Sequence, residues 1–233
     1  MRVGLISDTH LPSLIRSLDA MGPDVRDALA GANLILHGGD VTAPSVVEWC
    51  GQLADVLVAE GNNDLFVDPR MKERQFVDIH GFRVGMAHEL RPESRPLPEI
   101  LQTALGGEHV DILIGGDTHV ERLEFRDDVL LVNSGSPTFP HHLSTRLGSV
   151  GWLDIEPGRI RAEIVALGPT EDSPNPVKAQ HVVIESGRVR EASLMGVPLT
   201  ARQFLQSPAD RLAFVTGDGA PSSPSAAGSA TAG

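Results

Sequence analysis

The chain has 233 residues, of which 41% are hydrophobic and 21% are charged, a composition typical of a globular protein with one sizeable core. The formal net charge of −12 disfavours nucleic acid and anionic membranes as partners, because both repel an acidic surface. The chain has no apolar run approaching about 18 residues, no signal-peptide pattern, and a single cysteine, Cys50, which excludes an internal disulfide. These features predict a cytoplasmic protein without a membrane span, in which Cys50 is a buried, inert thiol.

The first half of the chain alternates short apolar strands with helices, which favours an α/β architecture. Each predicted strand ends in a polar or glycine-rich turn; these strands are Val3–Ser7, Asn33–His37, Val56–Ala59, Arg83–Ala87 and Ile112–Ile114. The predicted helices are Pro23–Ala30, Pro44–Leu53 with Thr42 as its cap, and Leu97–Leu105.

The second half loses the helices. Consecutive strands are predicted at Glu121–Phe125, Val129–Asn133, Gly148–Ile155 and Ile160–Leu167, with hairpin turns between the members of each pair. A second sheet packed on the first is therefore expected, with helices outside.

Composition changes after residue 168, which predicts three parts. Residues 1–168 form the main domain, and residues 169–216 form a C-terminal extension. The extension is expected to contain a linker at Pro169–Lys178, a hairpin of Gln180–Glu185 and Arg188–Leu194, and a short helix at Ala201–Gln206. Residues 217–233 have almost no side chains to bury, so they are expected to form a disordered tail.

Seven polar residues stand at, or just past, the C-terminal ends of predicted strands: Asp8, His10, Asp40, Asn62, His88, Asp117 and His119. Ligand sites of α/β sheets form at that edge, so loops from distant parts of the sequence are expected to meet there. Carboxylates, imidazoles and amide oxygens together suit Mn²⁺, Fe²⁺, Zn²⁺ or Ni²⁺. Each motif alone has a simpler interpretation as a turn, a helix cap or a buried histidine. All of them in order, each after a strand, indicate a metal site.

The order of these motifs resembles that of the calcineurin-like metallophosphoesterase superfamily, and most closely its small YfcE-type phosphodiesterase branch. The family pattern runs D-x-H, G-D, G-N-x-D/H, a lone His and G-H-x-H. Its counterparts here are Asp8 with His10, Gly39-Asp40, Gly61–Asp64, His88 and Gly116–His119. The segment Asn133–Ser136 is also similar to the N-P-G-S turn of this branch. The resemblance covers residues 1–167.

The resemblance implies a four-layer αββα sandwich of two mixed sheets with a two-metal site. Carried over by position, the first metal would be bound by Asp8, His10, Asp40 and His119. The second would be bound by Asp40, Asn62, His88 and Asp117, with Asp40 bridging. A metal-bridging hydroxide would attack the phosphorus of a small phosphate ester, most simply a phosphodiester.

The implied cofactors are two divalent ions, with Mn²⁺ first and Zn²⁺, Fe²⁺ and Ni²⁺ as alternatives. The implied catalytic residues are Asp40, Asn62 and Asn63, and the last two would also bind substrate.

Two positions depart from the family pattern. Asp117 replaces the first His of G-H-x-H; this harder, anionic donor favours Mn²⁺ and lowers the net charge of the site, and loss of metal affinity is the competing interpretation. Asn63 replaces a His that helps protonate the leaving group in many members. Because Asn has no titratable proton, esters with good leaving groups are the expected substrates, and phosphomonoesters are expected to react poorly.

Two alternatives to a phosphodiesterase stay open. One is a non-catalytic protein-interaction scaffold on the same fold, as in one retromer subunit, and the other is a phosphomonoesterase that uses the same site.

Some further residues are indicated as site residues only weakly by their sequence positions. His37 fits a metal-supporting or a purely structural histidine equally well. Arg91 with Arg95 fits a phosphate contact or an exposed charged loop, and His141 with His142 fits a pocket wall or a solvated loop; the exposed loop is the favoured interpretation of both pairs. The sequence leaves the oligomeric state and the role of residues 169–216 open.

Overall fold

A computed structural model of the chain describes residues 1–13, 15–21, 24–92, 94–143, 147–168 and 174–218. Its strands are β1 (Arg2–Ile6), β2 (Leu34–His37), β3 (Asp55–Ala59), β4 (Met71–Lys72), β5 (Arg74–Ile79), β6 (Phe82–Ala87), β7 (Ile112–Gly115), β8 (Arg122–Arg126), β9 (Val129–Asn133), β10 (Ser149–Glu156), β11 (Arg159–Ala166), β12 (Gln180–Glu185), β13 (Arg188–Leu194) and β14 (Val197–Pro198). The helices are α1 (Asp24–Ala28), α2 (Pro44–Gly51), α3 (Leu97–Leu105), α4 (Ala201–Phe204) and α5 (Pro208–Thr216), with 3₁₀ turns at Leu18–Met21 and Pro140–His142.

The strands form two mixed sheets. Within the described residues, the first sheet has nine strands in the order β14-β13-β12-β11-β10-β1-β2-β3-β4, and the second has five in the order β5-β6-β7-β9-β8. The neighbours β1, β2, β3 and β4 run parallel, as do β6, β7 and β9. The remaining pairs are antiparallel.

Three apolar clusters order these elements into layers. Alternate side chains of β1 point to opposite faces, as the pleat of a strand requires: Val3 and Leu5 join the core between the two sheets, and Ile6 joins the cluster beneath α1 and α2. On the second sheet, Leu113 and Leu131 pack outward with the residues of α3. The expected αββα sandwich is thereby confirmed.

Some local expectations were wrong. Thr42 does not cap α2: the N-cap position is Ala43 without a side-chain hydrogen bond, and Thr42 Oγ1 instead donates to the Leu11 carbonyl at 2.6 Å. Three helices are shorter than expected, because α1 ends at Ala28, α2 at Gly51 and α4 at Phe204; Pro23, the expected start of α1, lies outside the described residues.

The strand β5 and the helix α5 had no counterpart in the sequence-based expectations. Strand β5 lies at the edge of its sheet and has only two buried side chains, so its sequence lacks a clear alternation of apolar and polar residues. Helix α5 has a single buried residue, Arg211, whose apolar neighbours are partly exposed. Neither element therefore has a sequence pattern from which it could be predicted.

The C-terminal extension adds strands to the first sheet. Strand β12 pairs antiparallel with β11, with Ile160 opposite Ile184, and β13 and β14 continue the sheet. Apolar side chains of this segment, including Leu194 and Phe204, belong to the core between the sheets. The division at residue 168 stays a prediction, and residues 169–173 and 219–233, in the expected linker and tail, lie outside the described residues.

Two phenylalanines of the extension, one buried and one exposed, allow a test of whether this segment stabilises the whole fold. Phe204 is 2% exposed and lies beneath the Arg211 guanidinium, whereas Phe214 on α5 is 50% exposed. We expect Phe204→Ala to lower the free energy of unfolding by about 3–5 kcal/mol, since it leaves a cavity in the shared core. Phe214→Ala is the matched control and should cost less than about 0.5 kcal/mol. Equal effects in urea-induced unfolding would contradict the role given to the extension.

Candidate metal centre

The topology brings the predicted site residues to one place. Asp8 follows β1, and Asp40 and Asn62 lie just past the parallel neighbours β2 and β3. In the second sheet, His88 directly follows β6, and Asp117 follows the parallel strand β7. Because parallel strands end at the same edge, the loops of the two facing sheets meet there.

One cluster of ligand atoms contains Asp8, His10 and His119, whose atoms all lie within 4.8 Å of one another. The two imidazoles face each other with Nε2 atoms 3.0 Å apart. His119 Nε2 is also 3.7 Å from Asp8 Oδ1. Two imidazole nitrogens at this separation suit a shared ion, since each Zn–N bond is about 2 Å long.

A second cluster contains Asp8, Asp40 and His88, also within 4.8 Å. His88 Nε2 lies 3.5 Å from Asp40 Oδ1, 3.2 Å from Asn62 Oδ1 and 3.9 Å from Asp117 Oδ1. The other oxygen of Asp40, Oδ2, is 3.4 Å from His10 Nε2 in the first cluster. Asp40 therefore presents one oxygen to each cluster, and Asp8 belongs to both.

Backbone carbonyls orient two of the imidazoles. Nδ1 of His88 lies 2.7 Å from the carbonyl of Gly38, and Nδ1 of His119 lies 2.8 Å from the carbonyl of Phe139. A ring that donates its Nδ1 proton to a carbonyl leaves its Nε2 lone pair directed at the site. This arrangement is typical of metal-binding histidines.

Several of the site residues have strained backbones. Five of them have left-handed φ values, which cost a non-glycine residue roughly 1 kcal/mol or more: Asp8 (53°), His10 (45°), Asp40 (54°), Asp117 (69°) and His119 (57°). Such strain persists where the surrounding structure enforces it, and it clusters at functional sites.

Asn63 and Asp64 hold Asp40 in place. Asn63 donates to both oxygens of Asp40, from its backbone N at 2.9 Å and its side-chain amide at 2.7 Å. Asp64 accepts from the backbone N–H groups of Asp40, Thr42 and Gly61 at 2.7–3.0 Å. A side chain at Gly61 would overlap Asp40, since a Cβ there would lie 2.3 Å from Oδ1. The G-N-N-D turn thus fixes the central carboxylate.

Two further contacts connect the loops. His37 is fully buried; its Nδ1 accepts from the backbone N of Gly39 at 3.1 Å, and its Nε2 lies 3.3 Å from Thr9 Oγ1. Ser136, in the turn after β9, donates its hydroxyl to the Asp8 carbonyl at 2.7 Å. His37 therefore supports the ligand loops from behind rather than facing the cluster.

The model of the calcineurin-like phosphoesterase superfamily domain matches residues 1–158. The chain belongs to this family. A protein named a probable metallophosphoesterase, from Methanothermobacter thermautotrophicus, is 34% identical over 171 residues, which cover 72% of this chain and 94% of the relative. A phosphodiesterase of Methanocaldococcus jannaschii is 25% identical over 183 residues, covering 71% of this chain and 99% of the relative.

Solved structures of the same fold include Vps29 of Chaetomium thermophilum, which is 20% identical with a TM-score of 0.64 and covers 79% of this chain and 98% of that one. A structure described as a novel archaeal phosphodiesterase is 23% identical with a TM-score of 0.51, covering 71% and 100%. These likenesses establish the fold. Among the described residues, no helix is long and apolar enough to cross a membrane.

In this member of the calcineurin-like phosphoesterase superfamily, burial and neighbouring charged groups together set the ionisation of the cluster. Burial raises the pKa of Asp8 to about 7, raises that of Asp117, and lowers that of His119 to about 4. Burial alone would also raise the pKa of Asp40, but hydrogen bonds from His88 and Asn63 outweigh it, so the pKa of Asp40 is lowered. Burial opposes protonation of His88, yet the hydrogen bond to Asp40 and the charge of Asp8 raise its pKa to about 9.

The donor set fits divalent cations. The side chains of Asp8, Asp40 and Asp117 are only 0%, 4% and 7% exposed. Oδ2 of Asp8 is buried without a hydrogen-bond partner in the described part of the chain. Buried carboxylates require cations to offset the lost hydration. The oxygens of these carboxylates and the Nε2 atoms of His10, His88 and His119 would form the bonds to the ions.

A cavity of about 580 Å³ opens over the cluster. Besides the ligand residues, its walls include Ile15, Asn63, Arg91, Phe139 and His142. A neighbouring cavity of about 710 Å³ shares Asn62 and Arg91 with it. The cluster is therefore accessible to a small substrate.

Two residues expected on exposed loops line this cavity. The ring of His142 stacks on that of His119, with centroids 4.2 Å apart, and Arg91 forms an ion pair with Asp117. Arg91 lies three residues after His88 in the sequence, which indicates only weakly that it reaches the site. The sequence gives no such indication for His142, because its loop is far from His119 along the chain.

Metal uptake by this cluster should release protons. At pH 7 the metal-free protein holds a proton on His88, whose pKa is about 9, and a metal needs the neutral imidazole. The apparent Mn²⁺ affinity should therefore rise from pH 6 to pH 9. Calorimetric titration in two buffers of different ionisation enthalpy measures the protons released.

His88→Gln should bind Mn²⁺ weakly, whereas His109→Gln, at an exposed histidine after α3, should behave as the parent does. Equal heats in both buffers and a pH-independent affinity would contradict the assignment of His88.

Proposed function

We propose that this chain is a dinuclear metal-dependent phosphodiesterase that hydrolyses a small phosphate ester. The observation that carries the proposal is the position of Asp40, whose two oxygens lie 3.4 Å from His10 Nε2 and 3.5 Å from His88 Nε2. A carboxylate between two imidazole-containing clusters suits two ions that share it. Family membership and the phosphodiesterase among the relatives support the reaction class.

The proposed ligands are those expected from the sequence. Asp8, His10, Asp40 and His119 would hold one ion, and Asp40, Asn62, His88 and Asp117 the other. When bound, the ions supply an activated water and neutralise charge on the phosphoryl group. Mn²⁺ is the proposed metal because carboxylate and amide oxygens contribute much of the donor set. The expected cytoplasmic location stays a prediction.

The chain's own residues position these groups. Asn63 holds both oxygens of Asp40, so that the shared carboxylate keeps one orientation. The carbonyls of Gly38 and Phe139 fix the rings of His88 and His119. Asn62 lines both cavities and lies beside His88, so its amide is placed to contact a substrate oxygen. The catalytic role proposed for Asn63 is thus positional.

Replacing the shared carboxylate tests the proposal. With Mn²⁺ present, the parent should hydrolyse bis-p-nitrophenyl phosphate, and Asp40→Asn should lose nearly all activity, on the order of 10³-fold or more, because the amide is a poor bridge between cations. Asp55→Asn is the matched control, since Asp55 is exposed at the far end of β3. An Asp40→Asn variant as active as Asp55→Asn would rule out the bridge.

Two results would instead favour a protein-interaction scaffold. The protein purified without chelator would contain almost no metal, and it would hydrolyse no ester after Mn²⁺ is added.

The substrate preference follows from Asn63. Its amide donates to Asp40 and has no titratable proton, so it is not a general acid for the leaving group. We expect kcat/KM for bis-p-nitrophenyl phosphate to exceed that for p-nitrophenyl phosphate by about tenfold or more. Steady-state kinetics with both esters measures the ratio. Faster hydrolysis of the monoester would establish the phosphomonoesterase alternative.

A further inference from the structure

Arg91 makes a two-point contact with the residue that departs from the family motif. Its Nη2 donates to Asp117 Oδ1 at 2.8 Å, and its Nε is paired with Asp117 Oδ2. We call this two-point contact the fork: Nη2 makes a charge-assisted hydrogen bond, whereas Nε makes an ion pair, since Oδ2 of Asp117 has no hydrogen-bond partner in the described part of the chain. The carbonyl of Arg91 accepts a hydrogen bond from Arg95.

The pair changes the charge balance of the centre. Asp117 stands where the family motif has a neutral imidazole, so the substitution alone would add a negative charge. The guanidinium cancels that charge, and its presence also opposes the rise in the pKa of Asp117 that burial causes. Arg91 and Asp117 together therefore carry the same net charge as the neutral histidine that Asp117 replaces.

The contact leaves part of the guanidinium available. Nε and Nη2 are used on Asp117, and Nη1 has no hydrogen-bond partner in the part of the chain that the structure describes. The Arg91 side chain is 56% exposed, compared with 7% for Asp117, and it lines both cavities over the cluster. Arg91 therefore has a nitrogen available to bind an anion beside the cluster.

We propose that Arg91 is a substrate-binding residue that contacts a non-bridging oxygen of the phosphoryl group, and that Asp117 positions it. The inference rests on the proposed function for its substrate class. Guanidinium nitrogens match the geometry of phosphate oxygens, and a guanidinium held at one edge loses little further freedom when it binds. The substitution of Asp for His thus adds an anion-binding group beside the metals.

Binding of inorganic phosphate tests this role without requiring turnover. Isothermal titration of phosphate into Mn²⁺-loaded protein should show a Kd about tenfold or more higher for Arg91→Gln, as expected for loss of a charged hydrogen bond. Arg91→Lys keeps the charge but loses the fork, so it should lie between the two. The Mn²⁺ affinity of Arg91→Gln should equal or exceed that of the parent, because a cation beside the metals is removed.

The matched control is Arg83→Gln. Arg83 is 46% exposed and has its own carboxylate partner, Glu108, but it lies at the opposite end of β6 from His88. Its phosphate and Mn²⁺ affinities should equal those of the parent.

Four outcomes separate the claims. A phosphate Kd for Arg91→Gln within about twofold of the parent would overturn the inference, and so would a parallel loss of Mn²⁺ and phosphate affinity, which would mark a structural role. A parent that binds phosphate through Arg91 but hydrolyses no ester would overturn only the proposed phosphodiesterase function. A parent that binds neither Mn²⁺ nor phosphate would overturn both.

Discussion

The burial of three carboxylates where the ends of two sheets meet is the constraint on which the rest of the structure depends. Asp8, Asp40 and Asp117 have almost no exposed side-chain surface, and withdrawing such charges from water costs several kcal/mol each unless cations offset the loss. Without metals, the proton on His88 and the guanidinium of Arg91 provide part of that offset. Divalent ions would provide the remainder, so metal binding should also stabilise the fold.

The scaffold keeps this arrangement in a single geometry. Five of the ligand residues have strained left-handed backbones, and the hydrogen bonds of His37, Asp64 and Ser136 hold the neighbouring loops from behind. The apolar core between the sheets, to which the C-terminal extension contributes Leu194 and Phe204, supports the loops. Local strain at the site is therefore compensated by packing elsewhere in the molecule.

Much of the fold and the site could be predicted from the sequence because both depend on local patterns. Buried strands are apolar runs, and their C-terminal ends point to a common edge, so the seven polar residues could be grouped before any geometry was known. The strand β5, the ring stack of His142 on His119 and the fork of Arg91 on Asp117 could not be predicted. The ring stack and the fork depend on segments that are separated in sequence and meet only in the folded chain, whereas β5 is an edge strand whose sequence lacks a clear alternation of apolar and polar residues.

Anomalous diffraction from a Mn²⁺-soaked crystal would show whether two cations share Asp40. We expect two anomalous peaks about 3.5–4 Å apart, with one oxygen of Asp40 bound to each. One peak would be ligated by His10 and His119 and the other by His88. A single peak, or peaks that do not contact Asp40, would show that Asp40 does not bridge two ions.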